Sequence, residues 1–282
     1  MAQTPKVKPN NKLPTEAKKE ELKLAPVAKK PVIRFSIVYF GETHGPAFKD
    51  GDKYRVRTSA AGDRIQGNRP WNTWNQFSFR YKFDSGYEPF VSPRFETQWT
   101  TTRQYTDPDR SQVRVLDPVT GVRKFWDLGD GYSFFMQAGY GVPIQRDTRA
   151  ANRDGFFECF CVAEYAPKES KWSFGSWILP RYYLSGAASK EYWFLYVAPY
   201  VRYTINDRWQ PQVFVDQEYE HSKTKGAASL NYAKRVFQGA FIGVNYNANP
   251  SLTLYPYIRI NALQKPAIDT ASIGVWVIGM LY

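Results

Sequence analysis

The sequence predicts an all-β chain: a transmembrane antiparallel up-and-down β-barrel of about twelve strands, preceded by a disordered N-terminal arm. Three observations lead to this fold class. Residues 272–282 carry no charge and end the sequence on an aromatic residue. The strand-like segments before them alternate apolar with polar side chains. The connections between these segments alternate between short turns and mostly longer polar stretches.

The composition suits a membrane protein built from strands. Aromatic residues make up 17% of the 282 residues, and Tyr and Trp are favoured at membrane interfaces, where one end of the ring is apolar and the other wet. Mean hydropathy is -0.52, and no run reaches the roughly 18 apolar residues that a spanning helix needs. A spanning strand is apolar on one face only, so these values are compatible with a barrel.

The formal net charge of +12 fits an anion pathway, a nucleic-acid surface, contact with anionic lipid, or a basic tail with a scattered basic surface. Nucleic-acid binding interleaves basic and aromatic side chains on one surface. Here the two types separate onto opposite faces of the strands, so we expect no nucleic-acid partner.

Residues 1–31 form a predicted first region, and residues 32–282 form the barrel. The first region holds eight Lys, three Glu, five Pro and no aromatic residue, too little apolar surface to offset the entropy of ordering. We interpret it as a periplasmic arm that contacts peptidoglycan or lipid headgroups, or as a remnant of export or expression. A charged n-region followed by an apolar h-region is missing, so we expect the export signal to be absent from this sequence.

Twelve segments are predicted as strands. The clearest is the second, in which residues 76–83 alternate four polar with four aromatic side chains. The fourth is interrupted by Asp117-Pro118. The predicted ranges are 32–41, 73–83, 90–102, 111–126, 132–144, 155–165, 173–184, 192–203, 209–220, 234–246, 252–261 and 272–282.

The connections fall into two sets. If the C-terminus is periplasmic, every second connection is a periplasmic turn. Those connections are short and rich in turn residues: 84–88, 127–131, 166–171, 204–208 and 247–250. The remaining connections are predicted to be extracellular and are mostly longer: 42–72, 103–110, 145–154, 185–189, 221–233 and 262–271, of which 185–189 is a short exception.

The final strand matches the C-terminal signature of bacterial outer-membrane barrels, in which alternating hydrophobic residues lead to a terminal aromatic one. Trp276, Ile278, Met280 and Tyr282 share one face, with Gly279 on the other, and we expect that apolar face to meet lipid. The predicted location is therefore the bacterial outer membrane. The expected partners are the bilayer, lipopolysaccharide, and the barrel-assembly machinery acting on Trp276–Tyr282.

Four strands contain an internal proline followed by an arginine on the opposite face. Alternation places the prolines with the apolar set, and a proline inside a sheet loses a ladder hydrogen bond. The recurrence indicates a repeated architectural device. The prolines are Pro93, Pro180, Pro199 and Pro256, and the arginines are Arg94, Arg181, Arg202 and Arg259.

If the aromatic face meets lipid, the opposite face lines a lumen that is narrower than that of a sixteen-stranded porin. The predicted pore-lining residues are Arg34, Arg80, Lys82, Arg94, Glu96, Glu158, Glu164, Arg181, Arg202, Asp216, Glu218 and Arg259, with Glu220 on the same face. The basic groups recur on several strands and the acidic ones concentrate on the sixth and ninth. They predict either a transverse field across a narrow channel or mutual neutralisation in a closed lumen.

The proline–arginine pairs and the ending Trp276–Tyr282 resemble those of the twelve-stranded monomeric outer-membrane channels of the oligogalacturonate-specific porin type. The resemblance covers the layout of residues 32–282. It implies a small barrel whose inward arginines conduct acidic oligosaccharides. The Lys/Pro-rich arm and the acidic cluster of Asp216, Glu218 and Glu220 depart from that pattern, which leaves the substrate class open.

The predicted function is passive diffusion of small hydrophilic, anionic solutes, with no catalytic residue, metal or cofactor. One alternative is a lipid or peptide hydrolase with an active site at the rim, where His44 and His221 supply the histidines and Glu218 and Glu220 the acids. His221 and Ser222 are adjacent and point to opposite faces of a strand, which is the wrong spacing for a direct pair. The chain could also be a closed barrel that serves as an anchor or adhesin, or a soluble β-sandwich.

The two cysteines, Cys159 and Cys161, share one face of the sixth strand. Bridging them would strain the backbone, so we interpret them as small lipid-facing or core residues. A metal site would need more ligands than these thiols and the two histidines, His44 and His221, supply.

Overall fold

A computed structural model describes residues 34–45, 72–98, 113–145, 148–149, 153–185, 191–222, 234–261 and 271–281. The predicted arm, residues 1–31, lies outside these ranges and stays a prediction. The strands are β1 Phe35–His44, β2 Asn72–Tyr81, β3 Glu88–Gln98, β4 Val113–Gly129, β5 Tyr132–Gly141, β6 Arg153–Tyr165, β7 Trp172–Ser185, β8 Glu191–Tyr203, β9 Trp209–Ser222, β10 Lys234–Asn249, β11 Leu252–Asn261 and β12 Ser272–Leu281. Among the described residues, no helix is long and apolar enough to cross a membrane.

The twelve strands form one closed antiparallel barrel. Each strand pairs with its neighbours in the chain, and β1 pairs with β12 to close the ring. Closure satisfies the backbone groups that an open sheet would leave unpaired at its edges, which is a condition for spanning a bilayer. The predicted fold class, strand number and strand order are confirmed.

The short connections lie together at one end of the barrel, which we call the turn end; the opposite end is the loop end. At the β4–β5 hairpin, Gly129, Asp130 and Gly131 all adopt positive φ, with values of 79°, 49° and 84°. This left-handed backbone favours glycine. In the β8–β9 turn, the Asn206 side chain accepts hydrogen bonds from the backbone N–H groups of Arg208 and Trp209.

Several strands extend further than the sequence pattern predicts. β1 continues to His44, so Glu42 and His44 lie in a strand and not in the predicted loop 42–72. Their polarity resembled that of a loop, but both alternate onto the interior face. β4 runs through Asp117-Pro118 to Gly129, and the interruption is absorbed by a register shift opposite Ser92 and Arg94.

The outward face of the barrel is apolar. Phe79, Val91 and Ile258 keep 41%, 52% and 43% of their surface exposed. At the turn end, outward aromatic rings pair across neighbouring strands: Tyr132 with Tyr165 and Trp172 with Tyr203, at centroid distances of 4.4 and 4.8 Å. An exposed apolar belt edged by Tyr and Trp is the surface of a transmembrane barrel.

The prolines predicted on the apolar face lie there. Pro93, Pro180, Pro199 and Pro256 are all exposed on the outside, and the arginines that follow them face the interior. Pro93 lies at the β3–β4 register shift, where the regular ladder is already interrupted.

The orientation predicted for β12 is wrong. Trp276 contacts rings inside the barrel, and Ile278 and Met280 share its face. Both faces of β12 are apolar, so alternation alone did not distinguish them. The pairing of Trp276 with Glu42 on β1 sets the choice, because the charged partner faces the interior. Tyr282 lies outside the described residues.

Candidate functional site in the barrel interior

One buried ionic group in the described interior joins three strands. Glu158 on β6 accepts hydrogen bonds from the Nη2 atoms of Arg94 on β3 and Arg181 on β7, at 2.6 and 2.5 Å. The three residues are 6%, 7% and 2% exposed. Because β4 and β5 lie between β3 and β6, the Arg94–Glu158 pair crosses part of the lumen. We call Arg94, Glu158 and Arg181 the arginine bridge.

Aromatic rings support both arginines of the bridge. The Arg94 guanidinium lies 5.7 Å from the Trp74 ring centroid, and that of Arg181 lies 4.1 Å from the Phe156 ring. A cation over a ring face is stabilised electrostatically, and more strongly when it is shielded from water. The rings therefore hold the two positive groups in place.

A second ionic group lies near the turn end. Arg202 on β8 donates to Glu164 on β6 at 2.6 Å and to the Ser173 hydroxyl at 3.1 Å. The Tyr200 hydroxyl donates to the other oxygen of Glu164. This carboxylate and its arginine are 21% and 25% exposed, so the pair is more accessible than the arginine bridge.

A third ionic group contains two residues that the sequence analysis missed. Arg123 on β4 pairs with Glu88 on β3 at 2.6 Å, and each is 19% exposed. Arg80 on β2 lies close enough to both to interact electrostatically. The sequence pattern puts Glu88 in a turn and Arg123 in the least regular of the predicted strands. Only their opposite positions in the β3–β4 register identify them as a pair.

The acidic side of the interior holds Glu42, Asp216 and Glu218 with one arginine. Arg259 Nη2 lies 3.8 Å from Asp216 Oδ2. The Tyr257 hydroxyl donates to Glu42 at 3.2 Å. Asp216 and Glu218 are each 4% exposed. Glu42 had been missed because it was placed in a loop.

The remaining predicted residues occupy different positions. Glu96 faces the interior, is 2% exposed and lies opposite Arg114 in the β3–β4 register. Arg34 and Lys82 lie beyond the ends of β1 and β2, exposed at the turn end, where Arg34 pairs with Asp84 at 3.3 Å. They flank the barrel mouth at that end.

A group of rings fills one side of the interior, and we call it the aromatic cluster. Trp276 on β12 contacts Trp177 on β7 at 5.4 Å and Phe214 on β9 at 5.2 Å. Phe214 stacks on Phe241 at 4.3 Å. The full cluster is Trp177, Tyr200, Phe214, Phe241, Tyr255, Tyr257 and Trp276.

Glycines on neighbouring strands make room for three of these rings. A Cβ added at Gly243 would lie 2.7 Å from Cζ of Tyr255. Tyr200 covers Gly175 and Tyr257 covers Gly274 in the same way. The missing side chains let the rings lie flat on the wall of the barrel.

The residues proposed for a rim hydrolase are only partly described. His44 faces the interior and is 6% exposed. The side chains of His221 and Glu220 lie outside the described residues, so their pairing with His44 stays a prediction. Within the described ranges, no group of three or more His, Cys, Asp or Glu side chains is arranged to hold a metal ion.

The two cysteine thiols are free and lie 3.4 Å apart on the outward face of β6. Cys161 pairs with Met136 of β5 and Cys159 with Ala138. Their alternation with Glu158 and Glu164, which both face inward, places the thiols on the lipid side.

Comparison with known proteins shows the fold. No protein-family model and no curated protein matches the sequence. The crystal structure of an outer-membrane channel from Pseudomonas putida F1 matches with a TM-score of 0.55 and 10% identity, over 92% of this chain and 100% of that one. The NanC porin matches with a TM-score of 0.45 and 12% identity, over 88% and 98% of the two chains. The match to the Pseudomonas putida structure shows that this closed twelve-stranded barrel has the fold of an outer-membrane channel.

Proposed function

We propose that this chain is a channel of the bacterial outer membrane through which small hydrophilic solutes diffuse passively, with a preference for anions. The observation that carries this proposal is the excess of arginine on the wall formed by β2–β7. There, Arg80, Arg94, Arg123 and Arg181 lie around two carboxylates, Glu88 and Glu158.

The inward charges named above divide between two sides of the described interior. Four arginines and two glutamates give +2 on the β2–β7 wall. Arg259 with Glu42, Asp216 and Glu218 gives one minus three, or −2, on the opposite side. The Arg202–Glu164 pair cancels, as does the opposed pair of Arg114 and Glu96. Charged walls in a narrow pore select by sign.

Accessibility determines which of these charges a solute meets. Arg123 is 19% exposed, whereas Asp216, Glu218 and Arg259 are only 4–5% exposed. On the β2–β7 wall, Arg94 and Arg181 are also buried, at 7% and 2% exposed, so the positive charges that a solute meets there are Arg80 and Arg123. The neighbouring channel from Pseudomonas putida, described as an outer-membrane channel, supports the same location and class of function. We propose the bilayer, lipopolysaccharide and the barrel-assembly machinery as partners on the same basis.

Liposome swelling tests this proposal. Vesicles containing the refolded protein should swell in isotonic solutions of small neutral solutes, and faster with small organic anions than with cations of equal size. Arg80→Gln and Arg123→Gln should reduce the difference between anions and cations. Lys168→Gln is the matched control, because Lys168 is 77% exposed at a turn and should leave it unchanged.

The alternative functions give different results. A correctly folded barrel that produces no swelling would be an anchor or adhesin and would overturn the channel. Hydrolysis of lipid or peptide that is lost on His44→Ala or His221→Ala would instead establish the rim enzyme.

A further inference from the structure

The Trp177–Trp276 contact divides the barrel interior at mid-height. It joins β7 to β12, so β8–β11 lie on one side of it and β1–β6 on the other. On the β8–β11 side, Ala198, Phe214 and Tyr255 are 0%, 1% and 1% exposed. That half is packed like a protein core, which leaves no space for a solute.

The β1–β6 half is less uniformly packed at the same height. Phe90, Val119 and Phe156 are buried there at 3%, 0% and 4% exposed, and the arginine bridge crosses this half from β3 to β6. Three inward polar side chains here keep partial exposure: Gln76 on β2, Arg123 on β4 and Gln137 on β5. Each lies near the middle of its strand, where the opposite half presents rings. Partly exposed polar groups within a barrel indicate contact with water.

Two indole groups border this half and have unused donors. The Nε1 atoms of Trp74 and Trp276 are buried and have no hydrogen-bond acceptor among the described residues. Buried polar groups in native structures are normally paired with protein or water.

We propose that solutes pass off-centre, along the wall formed by β2–β6 and beside the aromatic cluster, and that Gln76, Arg123 and Gln137 select them. This inference rests on the proposed channel function and names its route. The passage offers guanidinium and amide N–H donors. It therefore suits small solutes rich in acceptor oxygens, such as carboxylates and inorganic oxyanions.

Cysteine labelling in vesicles tests the route without requiring current. In a background carrying Cys159→Ala and Cys161→Ala, Gln137→Cys and Gln76→Cys should react with a small water-soluble thiosulfonate. Gln212→Cys is the matched control: Gln212 faces the packed half and is 4% exposed, so it should remain unlabelled. Equal labelling of Gln212→Cys and Gln137→Cys, or no labelling of Gln137→Cys, would overturn the off-centre route.

Conductance supplies the second measurement. Gln137→Glu should reduce anion permeability relative to cations, whereas Gln212→Glu should not. Trp276→Ala should raise single-channel conductance and make Gln212→Cys reactive, because it opens the divide between the halves. If Trp276→Ala does not fold, the labelling of Gln137→Cys and Gln212→Cys in proteins that keep Trp276 still decides the route.

The failure of the route and the failure of the function are distinguishable. Labelling of Gln137→Cys in a protein that passes no current would overturn the channel and retain an off-centre water-filled cavity. If the protein passes current but Gln137→Cys and Gln212→Cys are labelled equally, the channel function stands and the off-centre route is overturned.

Discussion

Trp177 on β7 and Trp276 on β12 meet inside the barrel with their ring centroids 5.4 Å apart, although their strands are five positions apart in the sheet. Only side chains that reach across a lumen make such a contact. The barrel wall is thus continuous, whereas its interior is divided into a packed aromatic half and a more polar half.

A charge on the lipid face should destabilise the barrel in a membrane. Ile258 is 43% exposed on the outside near the middle of β11. Ile258→Arg should lower the free energy of unfolding by about 2–4 kcal/mol, the usual cost of a cation at the bilayer midplane. Reversible urea unfolding in vesicles measures this change. Gln137→Arg, which faces the interior, should cost much less, and an equal cost would argue against a lipid-facing Ile258.

The arginine bridge should depend on its shared carboxylate. Glu158→Gln leaves two buried guanidinium groups without their counter-ion, so we expect a loss of about 3–5 kcal/mol in unfolding free energy. Glu164→Gln on the same strand is the control, because that pair is 21–25% exposed and water replaces the lost charge. A smaller loss for Glu158→Gln than for Glu164→Gln would contradict the burial of the bridge.

The glycines under the rings should not tolerate a side chain. Gly243→Ala brings a methyl group against the backbone carbonyl oxygen of Pro256 and to 2.7 Å from the Tyr255 ring, and overpacking of this kind costs about 1–3 kcal/mol. Gly279→Ala is the control, since the nearest neighbouring atom would be Cβ of Tyr39 at 3.9 Å. Thermal unfolding of the two variants in the same detergent compares them. Equal stabilities would show that Tyr255 does not rest on Gly243.

The thiols of Cys159 and Cys161 should stay reduced and should react only from the lipid. Their sulfur atoms are 3.4 Å apart, well beyond the about 2.05 Å of a disulfide bond. In vesicles, a lipid-soluble maleimide should modify both thiols and a charged maleimide neither, as read by mass spectrometry. Modification by the charged reagent would place the cysteines on the water side.

The sequence pattern predicted the strands of the barrel wall and the inward face of most of them. It predicted few of the contacts between side chains in the interior. Alternation placed Arg94, Arg181 and Glu158 on one face because each lies on a strand whose opposite face is clearly apolar. It failed for β12, where both faces are apolar and only the pairing of Trp276 with Glu42 identifies the inner one.

Contacts across the lumen could not be predicted from the sequence pattern. The Arg94–Glu158 pair and the Trp177–Trp276 pair join strands that are not neighbours, and periodicity carries no information about such contacts. The third ionic group, Arg80 with Arg123 and Glu88, needed the β3–β4 register, which shifts at Pro93.

The reversal potential of the purified protein in a planar bilayer tests the central claim most directly. Under a salt gradient across the membrane, a channel whose accessible inward charges include Arg80 and Arg123 should give discrete current steps and a reversal potential with the sign of anion permeation. Folded protein that gives no current, or a reversal potential with the sign of cation permeation, would contradict the account.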